Sequence, residues 1–314
     1  MSELVTQRQS GLQKKYRFTE AKRNAISGYL YIAPFFILFA IFDIFPMFFS
    51  FYLGFQKWNG LGEMKFYGLR NFELIFTDPI FWESIWNTFI IGIISTVPQL
   101  IMAIILAFVL NSRLLRFKNF FRVSYFLPYI TSVVAVTLIF KIIFSNHETG
   151  LVNILLNYLG FKSISWTTSY WGIKVAITIM IIWRWVGFNT IIYLAGLQSI
   201  PNELYEAATI DGASQVQQLR HISIPLLRPA ITFTVFTSTI GSLQLFTEPL
   251  IFLTKNSIRQ EGITMVLYLY RDAFERSNFG KASATSIVLF LIIVIVASLN
   301  YYLSNTIGTR KRRD

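Results

Sequence analysis

The chain contains no cysteine, little histidine and few charged residues. Among its 314 residues there are no Cys and two His, and only 14% are charged. The lack of cysteine excludes a disulfide framework, a thiol nucleophile and a cysteine-ligated metal, and His147 and His221 are too far apart in the sequence to indicate a metal site or a catalytic relay. The sequence also has no GxxxxGK[ST] segment, so we do not expect it to cradle ATP phosphates itself. We therefore predict no metal, no cofactor and no enzymatic site in this chain.

Apolar residues are what the sequence has in abundance. Hydrophobic residues make up 54% of the chain and aromatic residues 17%, and the mean hydropathy is +0.52. This composition is typical of an integral membrane protein. The net charge of +12 would favour a nucleic-acid partner in a soluble protein, but here much of it lies in short segments beside apolar runs. We therefore read the charge as a topology signal and expect a lipid bilayer, not nucleic acid, as the partner.

Six apolar runs are long enough to cross a bilayer, which takes about 20 residues of helix. The first contains Asp43 and Pro46, which we expect to interrupt it. The backbone must satisfy its own hydrogen bonds in hydrocarbon, and barrel-type alternation is not seen, so the fold class is an all-α polytopic membrane protein with six transmembrane helices. The predicted spans are 28–55, 87–110, 123–144, 171–197, 229–253 and 284–304.

The basic residues predict the orientation of these spans. With six spans, the N-terminal tail, the second loop and the C-terminal Arg310 to Arg313 fall on one side, and the second loop carries Arg113, Arg116, Lys118 and Arg122 with no acid. The positive-inside rule makes that side the cytoplasm. We predict a basic cytoplasmic tail at 1–27, which we do not read as a cleaved signal peptide, a six-span domain at 28–306 and a second cytoplasmic tail at 307–314. Leu151 to Leu159 has helical periodicity and predicts a short helix at the outer surface.

One polar segment, residues 198–228, separates the fourth and fifth runs, and we call it the knob. Pro201 suits a first helical turn, Gly212 can adopt a positive φ, and Ser214 with Gln217 has the form of a capping box. The segment is predicted to form a helix-turn-helix whose second helix closes at His221 to Pro225. It is shaped to lie in a groove of a partner, although an ordinary solvated loop fits the spacing equally well.

The knob also carries a resemblance to a known family. Glu206-Ala207-Ala208, then Gly212, with Ile222 and Ile224-Pro225 following, resembles the EAA motif of permease subunits of binding-protein-dependent ABC importers. Four further segments resemble the sugar-transporting, maltose-permease-like branch, so the resemblance covers nearly the whole chain. They are Lys57 to Phe72, FFRVSYFLPY at Phe120 to Tyr129, WRWVGFNTIIYLAGLQSIP at Trp183 to Pro201, and IGSLQLFTEPLIFLT at Ile240 to Thr254.

The resemblance implies a type I ABC importer permease in the bacterial cytoplasmic membrane that moves a sugar or oligosaccharide by alternating access. It further implies a second, similar permease subunit, two cytoplasmic ATPase subunits that bind ATP and Mg²⁺, and an extracytoplasmic sugar-binding protein. The ATPase-coupling residues carried over are Glu206, Ala207, Ala208, Asp211, Gly212, Ile222 and Pro225. Two departures are Ile224 where the family usually has Leu, and Thr254-Lys255-Asn256-Ser257 where it often has TGGGP.

Polar residues inside the predicted spans are candidates for the substrate path. Aromatic rings beside amides and carboxylates suit a sugar, because rings cover its CH faces while polar groups bond its hydroxyls. Interhelical hydrogen bonding is the alternative role. We predict that Trp185 with Asn189, and Gly241 with Gln244 and Glu248, share helical faces. The full set of candidates is Gln99, Trp185, Asn189, Gly241, Gln244 and Glu248.

Three basic residues within the spans leave the charge of the substrate open. Lys141 and Lys174 lie near span ends, where snorkelling accounts for them. Arg184 lies near mid-membrane, where it either has a structural role, paired with a carboxylate such as Glu248 or with a ring of carbonyls, or serves as counter-ion for an acidic sugar; we favour the structural role. An acidic oligosaccharide or a sugar phosphate is therefore the alternative substrate, with Arg184 and Lys141 as the possible charge site. A gradient-driven secondary carrier is a more remote alternative, which would leave the knob unexplained.

Overall fold

The structure, a computed structural model, describes residues 22, 25–112, 116–253 and 261–309. Most of the N-terminal tail, Arg113, Thr254 to Ser257 and Arg310 to Arg313 lie outside the described residues, and so do the predictions made for them. The chain divides into two compact units, residues 1–53 and 54–314. The proposed division into tails and a six-span domain stays a prediction.

The first unit contains one long apolar helix, α1, at Ala25–Leu53. The predicted interruption at Asp43 and Pro46 is wrong, because the helix widens instead of breaking. Ala40–Ile44 is π-helical, and the amide of Phe45 donates to the carbonyl of Ala40, five residues back. Proline lacks an N–H and crowds the carbonyl four residues before it, and a π-turn placed just ahead of Pro46 accommodates both defects.

The second unit is a helical bundle with one small hairpin. Strands β1 and β2 pair antiparallel, with Gln56 opposite Phe66. The elements are β1 Gln56–Lys57, β2 Lys65–Phe66, α2 Arg70–Phe76, α3 Pro79–Asn111, α4 Lys118–Ile130, α5 Val133–Ile143, α6 Leu151–Tyr158, α7 Tyr170–Gln198, α8 Asn202–Ile210, α9 Gln215–Gln218, α10 Ile224–Leu226, α11 Arg228–Leu243, α12 Thr247–Phe252, α13 Met265–Tyr270 and α14 Phe279–Thr309. A helix is present where one was predicted at 151–159, as α6, and its position at the outer surface stays a prediction.

Five helical segments among the described residues are long and apolar enough to cross a membrane. They are Ala25–Leu53, Pro79–Asn111, Tyr170–Gln198, Arg228–Phe252 and Phe279–Ser304. The second span begins eight residues earlier than predicted, because Pro79 takes the first helical position and Asp78 caps the helix by accepting from the amide of Ile80. The last span likewise begins earlier, at Phe279.

The third predicted span, 123–144, is not a straight helix. It consists of α4 and α5, which meet at an angle of 93° and together make a sixth crossing only if the pair counts as one. Thr131 and Ser132 have extended backbone between the two helices. Pro128 lies just before the bend and cannot donate a backbone hydrogen bond, which weakens the last turn of α4.

The fifth span is also broken, between Leu243 and Thr247. Pro249 has no N–H to give to the carbonyl of Leu245, four residues earlier. That carbonyl instead accepts a hydrogen bond of 2.7 Å from the hydroxyl of Thr264. A side chain from the following segment thus satisfies the backbone group that the proline releases.

Helices α3 and α7 pack together along much of their lengths and form the centre of the unit. Two separate apolar clusters surround them. The first includes Ile91 of α3 and Ile181 of α7, and the second begins at Leu100 of α3 and Val186 of α7. The stretches of α3 and α7 between the clusters carry polar side chains, and this gap positions the candidate site.

Candidate substrate cavity and knob

A cavity of about 440 Å³ lies in the gap between the two apolar clusters. Helices α3, α7, α11 and α12 contribute most of its walls, and Tyr129 and Val133, which flank the bend between α4 and α5, complete it. The breaks in the third and fifth spans therefore both open onto this space. A cavity of this size lined by rings and a few polar groups is suited to a small organic ligand.

One wall of the cavity is a cluster of three aromatic side chains. The rings of Tyr129 and Phe188 are stacked with centroids 4.5 Å apart, and the ring of Tyr129 meets that of Trp185 edge-on at 5.2 Å. Trp185 and Phe188 are in turn edge-on at 5.8 Å. Each ring is held by the other two, so the wall is a fixed apolar surface against which the CH faces of a sugar ring can lie.

The other walls carry hydroxyl and amide groups. They come from α3 and from the broken fifth span: Ser95, Thr96, Gln99, Thr237, Ser238, Ser242 and Gln244. Three residues that line the cavity each have one buried side-chain atom with no hydrogen-bond partner among the described residues: Thr96 Oγ1, Gln99 Oε1 and Arg184 Nε. Buried polar atoms normally have partners, and these side chains are suited to bond water or a polar ligand in the cavity after a rotamer change.

Arg184 and Glu248 face each other across the cavity wall. A guanidinium nitrogen of Arg184 lies 3.7 Å from a carboxylate oxygen of Glu248, and the two side chains are only 17% and 8% exposed. The guanidinium carbon also lies 5.8 Å from the ring centroid of Trp185. Arg184 thus has a carboxylate partner and an aromatic neighbour, both of which lower the cost of burying its charge.

The structure brings most of the predicted substrate-path residues together. Gln99, Trp185, Gly241, Gln244, Glu248 and Arg184 all line the cavity. The prediction that Gly241, Gln244 and Glu248 share a helical face is wrong, because the helix is broken at Gln244 to Phe246. All three line the cavity nevertheless. Their role in binding stays a prediction.

Asn189 and the two lysines lie away from the cavity. Asn189 is buried one turn beyond Trp185 and does not line the space. The ammonium of Lys141 donates to the carbonyl of Ile251 at 2.6 Å, in the last turn of α12. Lys174 is fully buried rather than snorkelling, with its ammonium 3.4 Å from the ring centroid of Tyr170. Sequence reasoning placed it at a span end but missed the ring that solvates it.

Sequence reasoning also missed several lining residues. Tyr129 and Phe188 were within quoted segments but were not singled out, and the hydroxyl residues Ser95, Thr96, Thr237, Ser238 and Ser242 gave no distinct signal. Serine and threonine within an apolar helix often bond their own backbone, as Ser95 does to the carbonyl of Ile91 at 2.6 Å. Such residues become candidates only when the cavity is seen.

The knob is a helix-turn-helix, as predicted. Helix α8 follows Pro201, Gly212 has a φ of +79°, and the capping box of Ser214 and Gln217 is present at the start of α9. The predicted closure at His221 to Pro225 is wrong, because the helical backbone continues through a π-turn at Leu219–Ser223 into α10. The π-turn supplies amide bonds up to Ile224, so Pro225 falls in a new first turn, where its missing N–H costs little.

Side chains fix the two arms of the knob to each other. The hydroxyl of Tyr205 on α8 lies 2.9 Å from that of Ser223, and the amide of Gln218 donates to the hydroxyl of Thr209 at 3.0 Å. Glu206, Ala207, Asp211 and Gly212 are exposed, while Ala208 and Ile222 are half-buried. Ile210, beside the turn, is 86% exposed.

The chain belongs to the family described as the inner membrane component of binding-protein-dependent transport systems, whose model matches residues 88–309. It is 37% identical to the lactose transport system permease protein LacF of Rhizobium radiobacter, over 88% of this chain and 93% of that protein. It is 34% identical to the arabinooligosaccharides transport system permease protein AraP of Bacillus subtilis, over 88% of each chain. It is therefore a multi-pass membrane permease related to sugar permeases of ABC importers.

The fold is similar to that of a solved transporter. A chain in the crystal structure of a bacterial ABC transporter involved in the import of the acidic polysaccharide alginate superposes with a TM-score of 0.80, over 93% of this chain and 99% of that one. The sequence identity is 24%. This likeness establishes the type I permease-like fold and nothing about the substrate.

Proposed function

We propose that this protein is the membrane permease of an ATP-driven, binding-protein-dependent importer that moves a saccharide across the bacterial cytoplasmic membrane. The observation that carries the proposal is the cavity between the two apolar clusters, with its aromatic wall and three unsatisfied polar atoms. Carbohydrates present both CH faces and hydroxyl groups, and this lining complements both. Relatives named for lactose and for arabinooligosaccharides support the same class of substrate.

In this proposal the chain crosses the membrane six times, with the α4–α5 pair as the third crossing and both termini in the cytoplasm. The knob then projects into the cytoplasm between the fourth and fifth crossings. Its exposed small residues, Ala207 and Gly212, allow close approach of a partner backbone, and Ile210 supplies an apolar anchor. An amphipathic helix that lies in a groove is a common mode of docking.

The partners follow from this arrangement. The knob docks in a groove of a cytoplasmic ATPase subunit, which holds ATP and Mg²⁺, and a second permease subunit carries its own knob to a second ATPase. A saccharide-binding protein delivers the substrate from outside. The permease itself performs no chemistry. ATP and the loaded binding protein favour the outward-facing state over the inward-facing one, and hydrolysis reverses that preference, which is alternating access.

The proposal is tested by purification of the complex from its native membrane in detergent. We expect an ATPase subunit and a second permease to copurify with the wild-type chain and with Glu73→Lys, the same charge reversal on exposed α2, away from the knob. The ATPase should be lost from Glu206→Lys, because in this proposal Glu206 belongs to the motif that couples the knob to the ATPase. Absence of any ATPase from the wild-type preparation would contradict the proposal and favour a gradient-driven carrier. Retention of fully saccharide-stimulated ATPase activity in Glu206→Lys would contradict the role of the knob.

A further inference from the structure

The two charged residues that line the cavity bear on which saccharides it accepts. We propose that the cavity selects uncharged over acidic saccharides, and that Glu248 sets this selectivity by neutralising Arg184. The inference rests on the proposed function and deepens it, because the family and fold leave the charge of the substrate open. It replaces the alternative of an acidic oligosaccharide bound by basic residues in the spans.

An acidic ligand would need a basic side chain that faces the cavity. Lys141 is occupied by the carbonyl of Ile251 at 2.6 Å. Lys174 is buried against the ring of Tyr170 and donates to the backbone carbonyl of that residue at 3.1 Å. Neither lysine lines the cavity. Arg184 is thus the one basic residue among the described residues that line the space.

The charge of Arg184 is balanced by a neighbouring carboxylate. Glu248 is the one acidic residue among the described lining residues, and its carboxylate lies 3.7 Å from the guanidinium. The two formal charges cancel, so the lining has no net charge. A carboxylate of a uronate that approached Arg184 would meet Glu248 as well, and like charges in a poorly solvated space repel strongly. A sugar hydroxyl carries no such penalty.

The unsatisfied polar atoms of the lining residues differ in the hydrogen bonds that they can form. Gln99 Oε1 is an acceptor and needs a donor, which a hydroxyl supplies and a carboxylate lacks. Arg184 Nε is a donor that a hydroxyl oxygen can satisfy, and Thr96 Oγ1 bonds in either sense. Neutral and acidic saccharides both carry hydroxyl groups that donate and accept, so discrimination between them rests on the pair of Arg184 and Glu248 and not on these three atoms. The aromatic wall is indifferent to charge, because it covers CH faces that neutral and acidic sugars share.

The test is equilibrium dialysis on the assembled complex in lipid nanodiscs, without the binding protein, so that only the permease cavity selects. The probes are radiolabelled matched pairs: lactose and galacturonosyl-glucose, maltose and glucuronosyl-glucose, galactobiose and digalacturonate. For the pair that binds best, we expect the wild type to hold the neutral member at least about tenfold more tightly. Glu248→Gln should lower the ratio of neutral to acidic affinity about tenfold. Arg184→Gln should raise that ratio. Glu73→Gln, an equal charge change on exposed α2, should leave the ratio unchanged.

Two results would overturn the inference: a wild-type complex that binds uronates as tightly as neutral saccharides, or a Glu248→Gln ratio equal to the wild-type ratio. Both leave the proposed function intact, because the ATPase still copurifies and a saccharide still binds. Failure of every probe to bind, together with absence of the ATPase, would contradict both the inference and the proposed function. If Glu248→Gln does not assemble, Arg184→Gln and the charge-conserving Glu248→Asp decide the question, since only the first is expected to move the ratio.

Discussion

The ammonium of Lys281 lies 2.9 Å from Asp78 Oδ2, joining the start of α14 to the residue that caps α3. The same carboxylate oxygen accepts a hydrogen bond of 2.7 Å from the hydroxyl of Tyr268. Lys281 is also 3.3 Å from Asp272, which is fully buried and pairs with Arg276 at 2.7 Å. The residue that caps α3 is thus tied by one ionic cluster to the segment 268–281, which follows it in the sequence by about 190 residues.

The cluster predicts a loss of stability in acid. Burial alone would raise the pKa of Asp78, but hydrogen bonds from Tyr268, Lys281 and the amide of Ile80 outweigh it and hold the pKa below its ordinary value of 3.8. A carboxyl whose pKa is depressed on folding stabilises the folded state at pH above 3.8, and that contribution is lost as the pH falls through the folded-state pKa. We expect Asp78→Asn to lower the free energy of unfolding by about 1–3 kcal/mol at pH 7, with the difference from wild type vanishing in acid.

Thermal unfolding of the purified complex between pH 7 and pH 3 checks this expectation. Glu73→Gln is the control, because Glu73 pairs with Arg70 on an exposed surface where such pairs contribute little. A gap between wild type and Asp78→Asn that stays constant down to pH 3 would show that ionisation of Asp78 is not the cause.

Asn153 is predicted to be the anchor of the segment between α5 and α7. Its buried amide group donates to the carbonyls of Ser145, His147 and Ile164, and its oxygen accepts from the indole N–H of Trp166 at 2.9 Å. Asn153→Ala should destabilise the chain by about 2–4 kcal/mol, because several buried backbone groups lose their partner at once. Thermal melts measure the effect, with exposed Asn157→Ala as control. Equal melting temperatures for the two variants would contradict the anchor role.

Gly187 is predicted to permit the crossing of α4 and α7. A Cβ atom at this position would lie 2.5 Å from the carbonyl carbon of Tyr125 and closer still to its oxygen, and backbone cannot move as a side-chain tip can. Gly187→Ala should therefore reduce the folded yield severely. Gly241→Ala is the matched control, since a Cβ there would meet nothing within 4 Å. Size-exclusion chromatography after membrane extraction compares the two, and a monodisperse Gly187→Ala protein at wild-type yield would refute the claim.

Trp185 is predicted to contribute binding surface rather than stability. Trp185→Ala removes one of three rings in the aromatic wall and should weaken saccharide uptake about two- to tenfold, since ring contacts of this kind contribute roughly 0.5–1.5 kcal/mol beyond area burial. Assembly with the ATPase should persist. Trp171→Ala, at the exposed end of the same helix, serves as the control and should transport normally. Unimpaired uptake by Trp185→Ala would remove the aromatic wall from the proposed substrate path.

Local signals in the sequence predicted local structure well. Gly212 and the Ser214–Gln217 capping box specify the turn of the knob through backbone geometry and one reciprocal hydrogen-bond pair, which need no distant contact. The apolar runs likewise predicted the helices, with ends wrong by several residues where a proline or a cap decided them.

What sequence reasoning could not supply were features that depend on distant partners. The bend at Thr131–Ser132 and the break at Gln244–Phe246 occur within apolar runs that look continuous, and the second is stabilised by Thr264 from a later segment. Arg184 and Glu248 were each recognised as candidates, and Glu248 was suggested as the partner of Arg184. Their common position on one cavity wall became visible only in three dimensions.

The break in the fifth span also bears on how the chain enters the membrane. Helix α11 has 16 residues and α12 has 6, so at about 1.5 Å per residue neither reaches the roughly 30 Å of a hydrocarbon core. The carbonyl released at the junction finds its partner on Thr264, which the ribosome adds nineteen residues after Leu245. Because Thr264 follows this segment in the chain, we expect the backbone at the break to gain that hydrogen-bond partner only after the later segment has been synthesised.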